Sequence, residues 1–237
     1  MTRRADVESI VRGAVPEDES YILGFADLTG LLPVKYRAYP YAVVLGKKLD
    51  DRIVDAIAGG PTGEYRELYR ATNAELSRRV RSIAAALKPH RVGSVVIEPT
   101  LSEEQLDENY QRTLRTDFSH KMAGTRAGLG WIGKTDLFVS ERFGPRLRLA
   151  TVLVEQAAGL TASPVEESRC GQCAVCVQRC PAGAANGIAW KAGLERELFF
   201  DPFACREKCL ELSMKGFGER ISLCGICVSV CPVGRQR

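Results

Sequence analysis

Apolar and polar positions switch between two periods along the first part of the chain, and the switches outline a domain of mixed helices and strands. Asp6 to Gly13 reads as a short helix. SYILGFADL reads as a strand in which Gly24 lets a neighbouring element come close. YPYAVVLGKKL predicts a second strand, its run Ala42 to Leu45 apolar enough to be buried on both faces. After a break at Gly59, Gly60 and Pro61, the residues Tyr65, Tyr69, Thr72, Leu76, Val80, Ile83 and Leu87 step by three or four. That is one stripe of a long helix, stopped by Pro89, and a stripe of this kind is core packing. GSVVIEP predicts a third strand, SEEQLDENY an acidic helix start, and SHKMAGTRA a helix leading into the glycine segment. Strands alternating with helices argue for an α/β or α+β layer domain over roughly the first 160 residues, with no internal repeat.

The glycine segment RAGLGWIGKTDLFV matches two phosphate-loop patterns at once. Gly128, Gly130 and Gly133 satisfy G-x-G-x-x-G, and Gly128 through Gly133, Lys134 and Thr135 satisfy G-x-x-x-x-G-K-[ST]. Both loops need a strand before and a helix after, so that backbone amides and a helix N-terminus face the phosphate. Here the order is inverted, with a helix before and the strand TDLFVS after. The segment therefore predicts a glycine-capped helix end with Trp131 tucked into the core, and no nucleotide.

The remaining residues carry a different pattern. CGQCAVCVQRCP spaces Cys170, Cys173, Cys176 and Cys180 as C-x2-C-x2-C-x3-C-P, the bacterial-ferredoxin run whose fourth thiolate serves a second [4Fe–4S] cluster. LCGICVSVCP repeats the logic with Cys224, Cys227 and Cys231 and one cysteine fewer. The missing ligand must come from upstream, where Cys205 and Cys209 are both available. One cluster then takes Cys170, Cys173, Cys176 and Cys231; the other takes Cys180, Cys224, Cys227 and either Cys205 or Cys209. Zinc prefers paired C-x2-C knuckles with a spacer, and disulfides suit oxidising compartments. The N-terminus MTRRADVESI is polar, with no apolar signal core, so the cytoplasm is the expected compartment.

At 237 residues the chain fits one domain with a small second one, and no run approaches the roughly 20 apolar residues of a membrane helix. The formal charge of +4 invites a nucleic-acid reading. Each four-thiolate cubane would carry about −2, however, which brings the total to about zero. What is left is local: Arg78, Arg79 and Arg81 in one helix, Arg142, Arg146 and Arg148 in one loop, Arg235 and Arg237 at the end. Such groups are usually solvated faces.

AGLGWIGKTDLFVSERFGPRLRLATVLVE, CGQCAVCVQRCPAGA and CGICVSVCP, together with GPTGEYRELYRATN, resemble the epoxyqueuosine reductase family, whose members act late in queuosine modification of tRNA. The resemblance implies an α+β fold: a nitroreductase-like α/β layer domain over residues 1–160, followed by a ferredoxin-like double-cluster domain over 161–237. It implies a relation to the reductive dehalogenases, and a corrinoid (cobalamin) in the first domain beside the two [4Fe–4S] clusters. Matching FDPFAC to the family puts Cys205 in the ligand position. The family's proton-donor aspartate falls at Leu114 here, with Asp117 one helical turn away as a substitute.

The expected protein is an iron–sulfur oxidoreductase that passes electrons to a corrinoid or a substrate in the first domain, fed by a ferredoxin or flavodoxin. Asp117, His120 and Lys134, with Lys121 beside them, are the catalytic candidates. Gly128, Gly130, Trp131 and Gly133 are the candidates for holding the cofactor. Two alternatives stand: an electron-transfer or corrinoid-handling protein without turnover, and a true epoxyqueuosine-tRNA reductase. Leu114 at the aspartate position, the short C-terminus and the near-zero charge favour a small-molecule or corrinoid substrate over tRNA.

Overall fold

The structure is a computed structural model that describes residues 6–159 and 162–235, so Arg237 lies outside the described residues. In chain order the elements are α1 (Val7–Ala14), β1 (Tyr21–Asp27), β2 (Tyr41–Lys48), α2 (Asp51–Ala56), α3 (Gly63–Leu87), β3 (Ser94–Ile97), α4 (Glu108–Thr113) and α5 (His120–Arg126). They continue with β4 (Gly130–Ile132), β5 (Phe138–Ser140), β6 (Leu147–Val154), α6 (Val175–Gln178), α7 (Pro202–Phe217) and α8 (Ile226–Val230). Each element expected in the first part of the chain is present. The acidic stretch differs in that its helix starts only after Asp107, whose carboxylate accepts from Tyr110 N–H at 2.7 Å as the N-cap.

Two compact units emerge, and both are discontinuous in sequence. One comprises Met1–Lys47, Asn73–Leu129 and Arg148–Val165; the other comprises Lys48–Thr72, Gly130–Leu147 and Glu166–Arg237. This differs from a single cut near residue 160, because two early segments join the cysteine-rich end. The sequence gives no local sign of it, since α3 and β6 are regular elements through which the division runs.

The first unit is built on a four-stranded sheet in the order β1-β2-β6-β3. β1 pairs antiparallel with β2, and β3 antiparallel with β6. Val7 and Val11 of α1 and Leu76, Val80, Ile83 and Leu87 of α3 pack with Phe25, Val43, Leu45, Val152 and Val154 of the strands in one buried cluster. Burying a side chain of this size contributes about 1.5–3 kcal/mol, so the four residues of the α3 stripe hold the helix firmly on the sheet. Gly24 is needed for the reason the sequence suggested: a Cβ there would lie 2.8 Å from Leu129 Cγ and 3.0 Å from Ala127 Cβ.

The second unit has its own core, in which Leu49, Val54, Ile57 and Tyr65 pack with Leu223 and Val228. Its regular structure is short, and its small sheet is the hairpin β4-β5. Among the described residues no helix is long and apolar enough to cross a membrane.

Candidate metal centre

All nine cysteines lie in the second unit, and all are free thiols. The first run folds as a tight turn and one turn of helix. Cys173 N–H donates to the Cys170 carbonyl at 3.1 Å, α6 carries Cys176, and Cys180 N–H donates to the Val177 carbonyl at 3.2 Å. The second run wraps the start of α8. Gly225 caps that helix with φ 86°, and a Cβ there would come within 2.4 Å of Ile57 Cδ1. Cys224 precedes the cap, Cys227 sits in the helix, and Cys231 ends it in extended conformation. Between the two runs, α7 begins at Asp201, whose carboxylate accepts from Phe203 and Ala204 N–H at 2.9 and 3.0 Å. Cys205 and Cys209 lie four residues apart on this helix, with sulfurs 4.0 Å apart.

Mutual charge shows which thiols are grouped. Burial pushes Cys231 up to about 11; Val233 N–H opposes the shift, and the charges of Cys176, Cys170 and Cys173 add to it. Cys176 is raised by burial and by Cys170 and Cys173. Cys227 is raised by burial and then by Cys224, Cys205, Cys176 and Cys180. The tail cysteine Cys231 therefore lies near the first run, and Cys227 near cysteines of both runs. Crowded, half-buried thiols repel one another as thiolates, and a cationic iron core relieves that repulsion. Among the described residues no three His, Cys, Asp or Glu side chains close on a single-ion position. A cubane takes its thiolates at separate corners, and the donor set fits two such clusters.

Cys209 is the buried member of the pair on α7, with its sulfur beside that of Cys205 and its thiol pushed up by Cys205, Cys224 and burial.

The glycine segment lies against the first run. α5 precedes it, Gly128 follows the helix end with φ 71°, and β4 and β5 come next, so the inverted order expected for it is present. A Cβ at Gly130 would lie 2.1 Å from the Val139 carbonyl oxygen, and one at Gly128 2.6 Å from Ala162 Cβ. A Cβ at Gly133 would meet Val139 Cγ2 at 3.1 Å. Trp131 is 5% exposed, and its Nε1–H donates to Cys170 Sγ at 3.4 Å. These four residues were expected to hold the cofactor of the first domain. They pack the hairpin and meet the cysteine loop.

The catalytic candidates are dispersed. Lys134 is buried and donates to the Gly171 and Cys173 carbonyls at 2.9 and 3.0 Å. His120 belongs to the first unit: Nδ1 meets Thr151 Oγ1 at 2.8 Å and Nε2 meets the Glu98 carbonyl at 2.9 Å. A carbonyl only accepts, so Nε2 carries the proton and Nδ1 accepts from the threonine hydroxyl. Burial brings this imidazole down to about 4, so it is a neutral, fully bonded side chain. Asp117 is exposed and ion-paired with Lys35, whose ammonium the pair holds above its ordinary value. Leu114 is the left-handed C-cap of α4, and Lys121 lies in the first turn of α5.

Sequence reasoning missed Arg146. Grouped with solvated basic residues, it is instead fully buried, and it donates to Asp51 Oδ1 at 3.1 Å, Asp55 Oδ1 at 2.6 Å and the Ser229 carbonyl at 3.0 Å. Arg148, from the same loop, donates to Asn73 Oδ1 at 3.0 Å and to the Pro99 carbonyl at 3.2 Å. Neither is a solvated phosphate-binding group. Local sequence carried no signal for this, because the aspartates are some ninety positions away.

Residues 169–234 match the 4Fe-4S double cluster binding domain family. An epoxyqueuosine reductase of Synechococcus sp. (strain CC9605) is 30% identical over 134 residues, 56% of this chain and 41% of that protein. This chain thus spans less than half of that relative's length in the match. A crystal structure of epoxyqueuosine reductase with a tRNA-Tyr epoxyqueuosine-modified stem loop superposes on 97% of this chain and 64% of its own, with a TM-score of 0.59 and 15% identity. A reductive dehalogenase, whose structure is described as suggesting a mechanism for B12-dependent dehalogenation, covers 91% of this chain and 30% of its own with a TM-score of 0.60 and 20% identity. Residues 169–234 thus correspond to a double [4Fe–4S] cluster binding domain, and the chain is similar in sequence to epoxyqueuosine reductases and shares its fold with them and with the reductive dehalogenases.

Proposed function

We propose that the protein is an iron–sulfur reductase that acts on epoxyqueuosine in tRNA. Cys170, Cys173, Cys176 and Cys231 would hold one cluster, and Cys180, Cys205, Cys224 and Cys227 the other. The observation that supports this reading is the gathering of both cysteine runs and Cys205 in one compact unit, with residues 169–234 matching a double 4Fe-4S cluster binding domain. When bound, the clusters supply single electrons at low potential. Removing an epoxide oxygen as water takes two electrons and two protons, and a pair of one-electron centres fed by a ferredoxin or flavodoxin matches that count.

The chain's own residues bind, orient and exclude water around those centres. Asp201 starts the helix that presents Cys205, Gly225 starts the one that presents Cys227, and Arg146 anchors the latter through Ser229. The lean towards a small-molecule or corrinoid substrate is set aside, because the relatives found support a tRNA substrate better. We read the sheet of the first unit as nitroreductase-like. A corrinoid enters this reading only through the B12-dependent dehalogenase likeness, and no step is routed through it.

The test is anaerobic reconstitution followed by incubation of reduced protein, with cob(II)alamin supplied, with epoxyqueuosine-containing tRNA. About eight iron and eight sulfide per chain, with queuosine among the digested nucleosides, is the expected result. Full iron content with no queuosine would remove the substrate and leave the cluster reading standing.

A further inference from the structure

Three donors from one hairpin reach the first cysteine run. Trp131 Nε1–H points at Cys170 Sγ at 3.4 Å. The Thr135 hydroxyl lies against Cys176, and the threonine is 6% exposed. The Lys134 ammonium, 7% exposed, sits on the Gly171 and Cys173 carbonyls. All three side chains come from β4 and the turn that follows it, and all three are buried. A brace needs bonds to backbone, and Lys134 supplies those. It does not need donors aimed at two sulfurs, and Trp131 and Thr135 provide them.

From this convergence we propose that the hairpin arm of Trp131, Lys134 and Thr135 sets the reduction potential of the first cluster and raises it. The inference rests on the cluster reading above. Reduction adds one negative charge to a cluster, so donors to its thiolates stabilise the reduced state more than the oxidised one. A buried ammonium acts in the same sense, and with little solvent around it its field is weakly screened. Residues behind metal ligands commonly tune a centre in this way. The cluster of Cys180, Cys205, Cys224 and Cys227 has the Cys209 sulfur, 4.0 Å from that of Cys205, as its neighbour instead, and a thiol is a weak donor. The phosphate-loop pattern in this segment thus has a different use, with its glycines packing the hairpin and its lysine and threonine facing the cysteine run.

The experiment compares full-length wild type, Trp131→Phe, Lys134→Met and Thr135→Val, reconstituted anaerobically, by iron and sulfide analysis and by a redox titration followed by electron paramagnetic resonance. The expected result is about eight irons in every protein. One couple should move to lower potential in Trp131→Phe and Lys134→Met while the other stays fixed. The shift should change the reduced-to-oxidised ratio at fixed potential at least tenfold, about 59 mV for a one-electron couple. Thr135→Val should move the same couple in the same direction. Unmoved couples at full iron content would overturn the proposal, as would equal movement of both couples or the loss of four irons from Trp131→Phe, which keeps an aromatic ring in place of the indole and removes the N–H donor. Wild type that fails to hold about eight irons would instead remove the cluster reading on which the proposal rests.

Discussion

Arg146 Nη2–H donates to the Ser229 carbonyl at 3.0 Å, and Ser229 lies midway between Cys227 and Cys231. A fully buried guanidinium is therefore fastened to the helix that serves both cysteine groups, with its charge met by Asp51 and Asp55.

Replacing Arg146 by Met should lower stability by about 3 kcal/mol, the low end for breaking a buried pair, because the Asp55 carboxylate is half exposed and can regain water. Thermal unfolding of the anaerobic protein measures this. Iron should also be lost faster to a chelator than in wild type. An unchanged melting temperature would mean that Arg235, which also donates to the Ser229 carbonyl, carries the anchor alone.

Cys205→Ser should cost one cluster, about four of eight irons, whereas Cys209→Ser should keep the full content. The reason is that the FDPFAC stretch puts Cys205 in the ligand position and leaves Cys209, the more buried of the two, as the ninth cysteine. The reverse pattern of iron loss would exchange the two assignments.

Neither ATP nor NAD should bind, and Lys134→Ala should change nothing in that respect. Helix α5 lies before the glycine segment and strands after it, and the Lys134 ammonium is already taken up by two carbonyls. Saturable nucleotide binding by the parent protein, lost in the variant, would contradict this.

His120 makes stability depend on pH with a definite sign. Its folded value of about 4 lies below the model value of 6.5, so between these values the unfolded chain binds more protons than the folded one. Stability is full above about pH 6.5 and falls as pH drops towards 4, by up to about 3 kcal/mol. The stability difference between wild type and His120→Gln, measured from pH 7.5 to pH 5.5, should shrink as pH falls. A constant difference would show that the imidazole protonates freely in the folded state.

Period and spacing are local properties, and the sequence alone determined what depends on them. The stripe from Tyr65 to Leu87, the strands around Phe25 and Val43, the inverted order around Gly128 and the two cysteine runs were all legible, because each is set within some twenty residues. Only the tertiary structure decided the roles of groups whose partners are remote in sequence. Arg146 read as one more surface arginine until Asp51 and Asp55 were found beside it, and His120 read as a catalytic candidate until Thr151 and Glu98 took both its ring nitrogens. Trp131 read as a cofactor contact and Lys134 as a catalytic candidate, and they became neighbours of Cys170 and Cys173 because Gly130–Leu147 packs in the same unit as the cysteines. A buried polar side chain takes its function from the groups that satisfy it, and folding, not adjacency in the chain, chooses those groups.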